Sequence, residues 1–375
     1  MPGLLPHVDP DGLLEYSVVY TDRALNHMSR RFSVAMQDIS ATLKEVYGAA
    51  SAIVVPGSGS FGMEAVARQF AGGKDVLIVR NGWFSYRWTQ IFEMSGVASS
   101  STVLKARRVA SAPKSPFAPA PLDEIVDTIR RTKPAVVFAP HVETSAGMML
   151  PDAHLVAIAD AVHAHDGLFV LDCVASGAMW VDMRATGVDV LISAPQKGWS
   201  STPCAGLVML SERAKAAIAG TSSSSFSLDL KKWMQMMEAH EQGAMAYHAT
   251  YPTDGLVHLR DAMNETRELG FAQAKAAQTE LGRRVRALLE GKGIPSVAAP
   301  GFQAPCVIVS YTDHADWQNT KAFAAQGLQV AAGVPLACDE PADYRSFRLG
   351  LFGLDKLKNI DRTVASFEKA LNALL

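Results

Sequence analysis

The sequence predicts an α/β protein with a large, mainly parallel sheet domain followed by a smaller C-terminal α+β domain. Three observations carry this. Between about residues 50 and 210, short apolar runs alternate with helical patterns, as in a sheet covered by crossover helices. The runs are apolar in succession rather than alternately, which is expected where helices bury both faces. The chain also has 375 residues, 49% of them apolar, which exceeds the length at which one core usually stops growing.

The expected strands are 52–56 (AIVVP), 75–79 (DVLIV), 135–140 (AVVFAP), 168–172 (LFVLD), 189–193 (DVLIS) and 206–210 (GLVML). Residues 122–131 and 151–165 read as helices; the second opens with Pro151 and Asp152 and repeats Leu155, Ile158, Ala159 and Val162 at helical spacing. The Pro- and Ala-rich stretch 111–122 reads as a surface connection. A serine run at 220–230 precedes Met-rich segments and a long helical pattern over 256–291, which Gly270 interrupts or bends. CVIVSY (306–311), a helix near 315–326, FRLG (347–350) and a closing helix over 355–374 form the smaller domain. The expected division is an N-terminal arm and substrate-pocket segment (1–25), a large domain (26–255) and a small one (256–375).

Composition narrows the function. With 35 Lys+Arg against 37 Asp+Glu, the net charge of −2 offers no basic surface for nucleic acid. No apolar run approaches the roughly 20 residues that span a bilayer, and the N-terminus lacks a basic start followed by an apolar stretch. A cytoplasmic protein without a membrane partner is expected. Four widely spaced cysteines without CxxC clustering fit a reducing compartment and argue against structural zinc, so no metal site is expected.

Gly57-Ser58-Gly59-Ser60-Phe61-Gly62 matches G-x-G-x-x-G between an expected strand and helix. A dinucleotide fold needs an acid at the end of the next strand, yet that strand ends in Val79-Arg80-Asn81. What survives is an anion site at a helix N-terminus, or an ordinary strand-to-helix turn.

Two polar residues follow later strand ends: Asp172 closes one, and Lys197 stands four residues beyond Ser193. Loops at the C-terminal ends of parallel strands gather chemistry. An amine and a carboxylate there suit a pyridine cofactor, the lysine linking it covalently and moving a proton, the aspartate holding the ring nitrogen protonated. A solvent-facing lysine and a helix-capping aspartate fit the same spacing.

SAPQKGWSSTPCAG (193–206) resembles the lysine signature of class V pyridoxal-phosphate aminotransferases, of fold-type I, particularly the serine/alanine–glyoxylate or pyruvate branch, and further segments agree in order from about residue 20 to the C-terminus. The resemblance implies pyridoxal 5′-phosphate as cofactor. It implies that the turn through Ser58, Gly59, Ser60 and Phe61 holds the phosphate, and that Phe84, in NGWFSYRW, stacks on the ring. Thr144, in HVETSAG, bonds the phenolic side; Ala146 stands where a threonine is more familiar. Asp172 pairs with the ring nitrogen, Val174 lies against the ring, Gln196 contacts the phosphate and Lys197 is the Schiff-base residue. YHATYP resembles a dimer-crossing segment, so Tyr247 and Thr250 reach the site of the other subunit in a homodimer. Arg348, in FRLGLFG, binds the substrate carboxylate.

The implied reaction moves an amino group from a small primary amino acid to a small 2-oxo acid such as glyoxylate or pyruvate. Asn26 and His27 fall in the substrate-pocket region, where Met28 replaces a charged residue. The alternative is an aminophosphonate–pyruvate aminotransferase, for which Arg23, Arg30, Arg31 and Arg87 are candidate phosphonate cations. A desulfurase is disfavoured because Gln196, not histidine, precedes the lysine. A dehydrogenase built on the 57–62 turn and a catalytically silent scaffold are the readings from other classes. His141 is expected in a turn beside the site, Glu143 as an acid without a hydrolytic partner, and Cys173 and Cys204 as packing residues. Trp83, Trp88 and Trp199 either wall the cleft or fill the core.

Overall fold

The computed structural model describes residues 13–375. Its centre is a sheet of seven strands: β1 (Ser51–Pro56), β2 (Asp75–Arg80), β3 (Ser100–Lys105), β4 (Val136–Pro140), β5 (Leu168–Asp172), β6 (Val190–Ser193) and β7 (Ala205–Leu210), in the order β1-β7-β6-β5-β4-β2-β3. All pairings are parallel except the two made by β7, which is antiparallel to both β1 and β6. Every strand but β7 therefore points the same way, and their C-terminal ends share one edge.

All six expected strands are present. β3 is the addition: SSTVLK lies at the sheet edge, exposed at its first two residues and half-buried thereafter, so it lacks the continuous apolar run of the interior strands. The interior strands β4, β5, β6 and β7 are buried at every residue.

The longer helices are α1 (Arg30–Tyr47), α2 (Gly59–Phe70), α3 (Trp83–Ser95), α4 (Leu122–Thr132), α5 (Asp152–His163), α6 (Leu230–Glu241), α7 (Thr253–Leu269), α8 (Phe271–Gly291) and α9 (Ile360–Leu374). Ser29 caps α1, its hydroxyl accepting from Phe32 N at 3.1 Å. α4 carries Asp123 and Glu124 in its first turn and Arg130 and Arg131 in its last, each sign matching the helix dipole. The long helical pattern after residue 253 is two helices separated by Gly270, whose φ of 92° no ordinary residue adopts cheaply. α7 packs against α1, on the large sheet's side of the molecule.

The second sheet consists of β8 (Val307–Tyr311), β9 (Ala331–Ala332) and β10 (Ser346–Gly350), with β10 between the other two. A small apolar cluster containing Phe117, Met148, Val307, Val309 and Tyr311 joins it to the main body. The main core holds Trp88 against Phe138, ring centroids 4.5 Å apart, and Trp180 against Trp199 at 4.7 Å. Trp88 and Trp199 thus fill the core. All four cysteines are free and buried, and no helix among the described residues is long and apolar enough to cross a membrane.

Candidate functional site

Five strands deliver chemistry to the shared edge. Beyond β1 lie Ser58, Gly59 and Ser60; beyond β2, Phe84 and Arg87; beyond β4, Val142 and Thr144; at the end of β5, Asp172 and Val174; beyond β6, Gln196 and Lys197. Together they line a cleft of about 190 Å³. The sheet's topology does this work, since each segment leaves a parallel strand at its C-terminal end.

One end of the cleft is electropositive. Ser58 is the N-cap of α2 and its hydroxyl makes no capping bond, so the amides of Gly59, Ser60 and Phe61 precede the first helical bond, from Gly62 N to Ser58 O at 3.2 Å. The Phe61 side chain is half-exposed and is not part of the cleft wall; only its amide belongs to this anion site. Gln196 lies nearby with one end of its buried amide unpartnered among the described residues.

Asp172 sits in the middle. Burial raises its pKa to about 6, partly opposed by the Val174 N–H, which donates to Oδ1 at 2.9 Å; Glu143 pushes it up further, and Arg87 and Lys197 pull it down. A buried carboxylate with this bias favours a cationic hydrogen-bond donor in the cleft. His141 donates its backbone N–H to Asp172 O at 2.8 Å and places Nδ1 2.8 Å from Ser176 Oγ. Burial depresses the His141 pKa to about 3, so this ring is neutral.

Lys197 follows in a tight turn. A Cβ on Gly198 would stand 2.2 Å from the carbonyl oxygen of Gly177, so only glycine lets the two backbones meet. Burial, and secondarily Arg348, lowers the Lys197 pKa and favours a neutral amine. Its Nζ lies 5.0 Å from the Phe352 ring centroid.

Arg348 arrives from the small sheet. It is paired in register with Val309 and Ala331, and its Nε donates to Ala332 O at 2.7 Å. Its guanidinium carbon lies 5.5 Å from the centroid of Phe84, and that of Arg87 lies 5.4 Å from the same ring. Phe84 is therefore flanked by two cations.

The backbone that carries Phe84 is held by Glu143. This fully buried carboxylate accepts from the amides of Phe84 (3.1 Å), Ser85 (2.9 Å) and Ser145 (3.0 Å), and from the hydroxyls of Ser85 and Ser145, both at 2.7 Å. It caps the N-terminus of α3. Sequence reasoning assigned Glu143 no such role; a carboxylate followed directly by two hydroxyl residues, Thr144 and Ser145, in HVETSAG is the one local signal.

Four expected residues stand apart from the cleft of this chain. Tyr247 and Thr250 are exposed and bonded to each other, Oη to Oγ1 at 3.1 Å. Asn26 donates to Glu15 at 2.8 Å and Ser17 at 3.1 Å and accepts from Met28 N at 2.8 Å. His27 is buried between the rings of Tyr20 and Tyr247, centroids 5.5 and 5.3 Å away. Residues 1–12 of the expected N-terminal arm lie outside the described residues. Of the four candidate phosphonate cations, Arg87 alone lines the cleft; Arg30 and Arg31 open α1, and Arg23 precedes it. Among the described residues, no group of three or more His, Cys, Asp or Glu is placed to hold a metal.

Residues 12–347 match the family described as Aminotransferase class-V. An alanine–glyoxylate aminotransferase of Callithrix jacchus is 26% identical over 358 residues, covering 92% of this chain and 82% of that protein. A 2-aminoethylphosphonate–pyruvate transaminase of Paraburkholderia xenovorans is 28% identical over 340 residues, 88% of this chain and 86% of that one. The crystal structure of an alanine–glyoxylate aminotransferase from Nostoc superposes with a TM-score of 0.77 at 22% identity, covering 92% of this chain and 88% of the other. The fold, the strand-end cleft and the match over most of the length agree: this chain belongs to the class V family of pyridoxal-phosphate-dependent aminotransferases, of fold-type I.

Proposed function

We propose that the protein transfers an amino group from a small primary amino acid to a small 2-oxo acid such as glyoxylate or pyruvate, using pyridoxal 5′-phosphate held in the strand-end cleft. The observation that carries this is the convergence, on one cleft, of an anion-binding helix start, a buried carboxylate and a lysine biased toward the neutral amine. When bound, the cofactor supplies an electron sink for charge developing at the substrate Cα.

The residues present fit that group. The first-turn amides of α2, the Ser58 and Ser60 hydroxyls and the amide of Gln196 take the phosphate; turning that amide about its last bond exchanges its oxygen for the N–H₂ that a phosphate needs. Phe84 and Val174 supply apolar faces for the ring, Thr144 a hydroxyl for the phenolic oxygen, and Asp172 the acceptor that keeps the ring nitrogen protonated. Lys197 would hold the cofactor's aldehyde carbon and, as a free neutral amine, would be the base that takes the substrate Cα proton. Its depressed pKa suits that task. Arg348 pairs with the substrate α-carboxylate through its planar fork.

In a homodimer, Tyr247 and Thr250 serve the partner's phosphate site. Their exposure, and their absence from the cleft of their own chain, support that reading. Asn26 and His27, which stand apart from the cleft of their own chain, serve a substrate pocket only in such an assembly.

The test is a screen of donors and acceptors that follows interconversion of the cofactor's aldehyde and amine absorbance. Alanine or serine as donor, with glyoxylate or pyruvate as acceptor, is the expected active combination. Turnover restricted to aminophosphonates favours the alternative, to which the Paraburkholderia relative also points. Inertness toward every amine assigns the chain to the catalytically silent reading.

A further inference from the structure

Arg87 is the one cation in the cleft wall to which the proposed reaction gives no task. It stands in the second turn of α3, and its Nη1 donates to Ser60 Oγ at 2.8 Å. Ser60 is the second residue of α2, so this bond fixes a guanidinium beside the positive end of a helix whose first amides have no acceptor within that helix. Among the described residues Arg87 makes no ion pair, although it is half-buried and lines the same cleft as Ser58 and Gly59. Two positive features side by side repel each other until an anion sits between them. The bond to Ser60 places Arg87 at the helix end of the cleft, whereas Arg348 arrives at the other side of Phe84 from the small sheet, bonded to Ala332 O.

We infer that Arg87 is a ligand of the cofactor's phosphate ester, held ready by Ser60, and that it selects the phosphorylated cofactor over its unphosphorylated form. The inference rests on the cofactor reading above. A guanidinium reaches phosphate oxygens through directed N–H bonds and stays charged throughout the working pH range. It therefore adds to the helix end a full charge that backbone amides cannot supply. It also takes Arg87 out of use as a phosphonate-binding residue for the substrate.

The test titrates apoenzyme with pyridoxal phosphate and, separately, with pyridoxal, following cofactor absorbance and protein fluorescence. Arg87→Met is expected to weaken pyridoxal phosphate by about tenfold or more, the loss of one charge-assisted bond, while pyridoxal stays within about twofold. Arg87→Lys, which keeps the charge without the fork, is expected to fall between. Unchanged phosphate-form affinity, or an equal loss for both forms, overturns the inference.

A second measurement needs no variant. Phenylglyoxal labelling of the unmutated chain, mapped by mass spectrometry, is expected to mark Arg87 in the apoenzyme, to be blocked by pyridoxal phosphate and to persist with pyridoxal. Labelling that pyridoxal phosphate does not reduce overturns the assignment. If Arg87→Met keeps its cofactor affinity but loses turnover of aminophosphonates, Arg87 serves the substrate and the inference is wrong. An unmutated chain that shows no Lys197-dependent absorbance with pyridoxal phosphate removes the cofactor reading itself, an outcome distinct from normal binding that ignores Arg87.

Discussion

Glu143 and Ser85, 58 positions apart in the chain, are joined twice: the carboxylate accepts the Ser85 amide at 2.9 Å and its hydroxyl at 2.7 Å. With the amides of Phe84 and Ser145 on the other oxygen, the side chain works as an acceptor-only plug in the start of α3. Glu143→Gln turns one acceptor into a donor and sets N–H against N–H. We expect a loss of about 2–4 kcal/mol in apoenzyme stability, measured by urea unfolding, together with weaker cofactor binding as Phe84 shifts. Stability within about 0.5 kcal/mol of the unmutated chain, a typical surface effect, counts against this role.

Borohydride reduction of the cofactor-loaded protein is expected to leave the pyridoxyl label on Lys197. Lys197→Ala should lose both the label and transamination, the latter by at least about a thousandfold, as removal of both the anchor and the proton carrier demands. A label found on another lysine refutes the assignment.

Asp172 makes the apoenzyme pH-sensitive in a definite direction. Its folded pKa is raised from 3.8 to about 6, so the native state holds the proton more tightly than the unfolded chain, and the contribution of this residue falls as pH rises through that window. His141 acts oppositely: its pKa is depressed to about 3, so its contribution is full above the ordinary histidine pKa and is lost as pH falls. The histidine is common to the unmutated chain and to Asp172→Asn, so comparing the two isolates the aspartate. The stability gain of apo Asp172→Asn should grow between about pH 4 and 7 to at most about 3 kcal/mol, with cofactor affinity reduced at every pH. A gain that does not change with pH sinks the prediction.

Gly206 of β7 lies directly beneath the start of α2. A Cβ there would stand 2.8 Å from both Ser58 O and Gly62 N, backbone atoms that cannot yield without moving the helix. Gly206→Ala is expected to cost about 1–3 kcal/mol in a thermal or urea melt and to weaken pyridoxal phosphate more than pyridoxal. Equal affinities for the phosphate form in variant and parent would separate the helix start from phosphate binding.

The elements legible in the sequence are those whose burial is uniform. LFVLD and DVLIS read as interior strands because both their faces are covered. SSTVLK does not, because it sits at an edge, and the reversed direction of β7 leaves no trace in a strand buried at every position. At the site, Asp172 and Lys197 were legible because each is a polar residue just past an apolar run. Arg87 was one of four unplaced arginines, since its bond to Ser60 spans 27 positions and no local pattern announces it. Glu143 was hidden for the same reason.

The direction of the strands also divides the molecule by tolerance. Every connection that feeds a parallel strand from its helix, such as Ala71–Lys74 before β2 or Ala164–Gly167 before β5, lies at the end of the sheet remote from the cleft. A Cβ on Gly72 would meet nothing within 4 Å. Lengthening the Ala71–Lys74 turn leaves the chemistry undisturbed, whereas one residue inserted after β1, β5 or β6 displaces a group on which it depends. One end of the sheet has room for a longer turn, and the other is held to the residue.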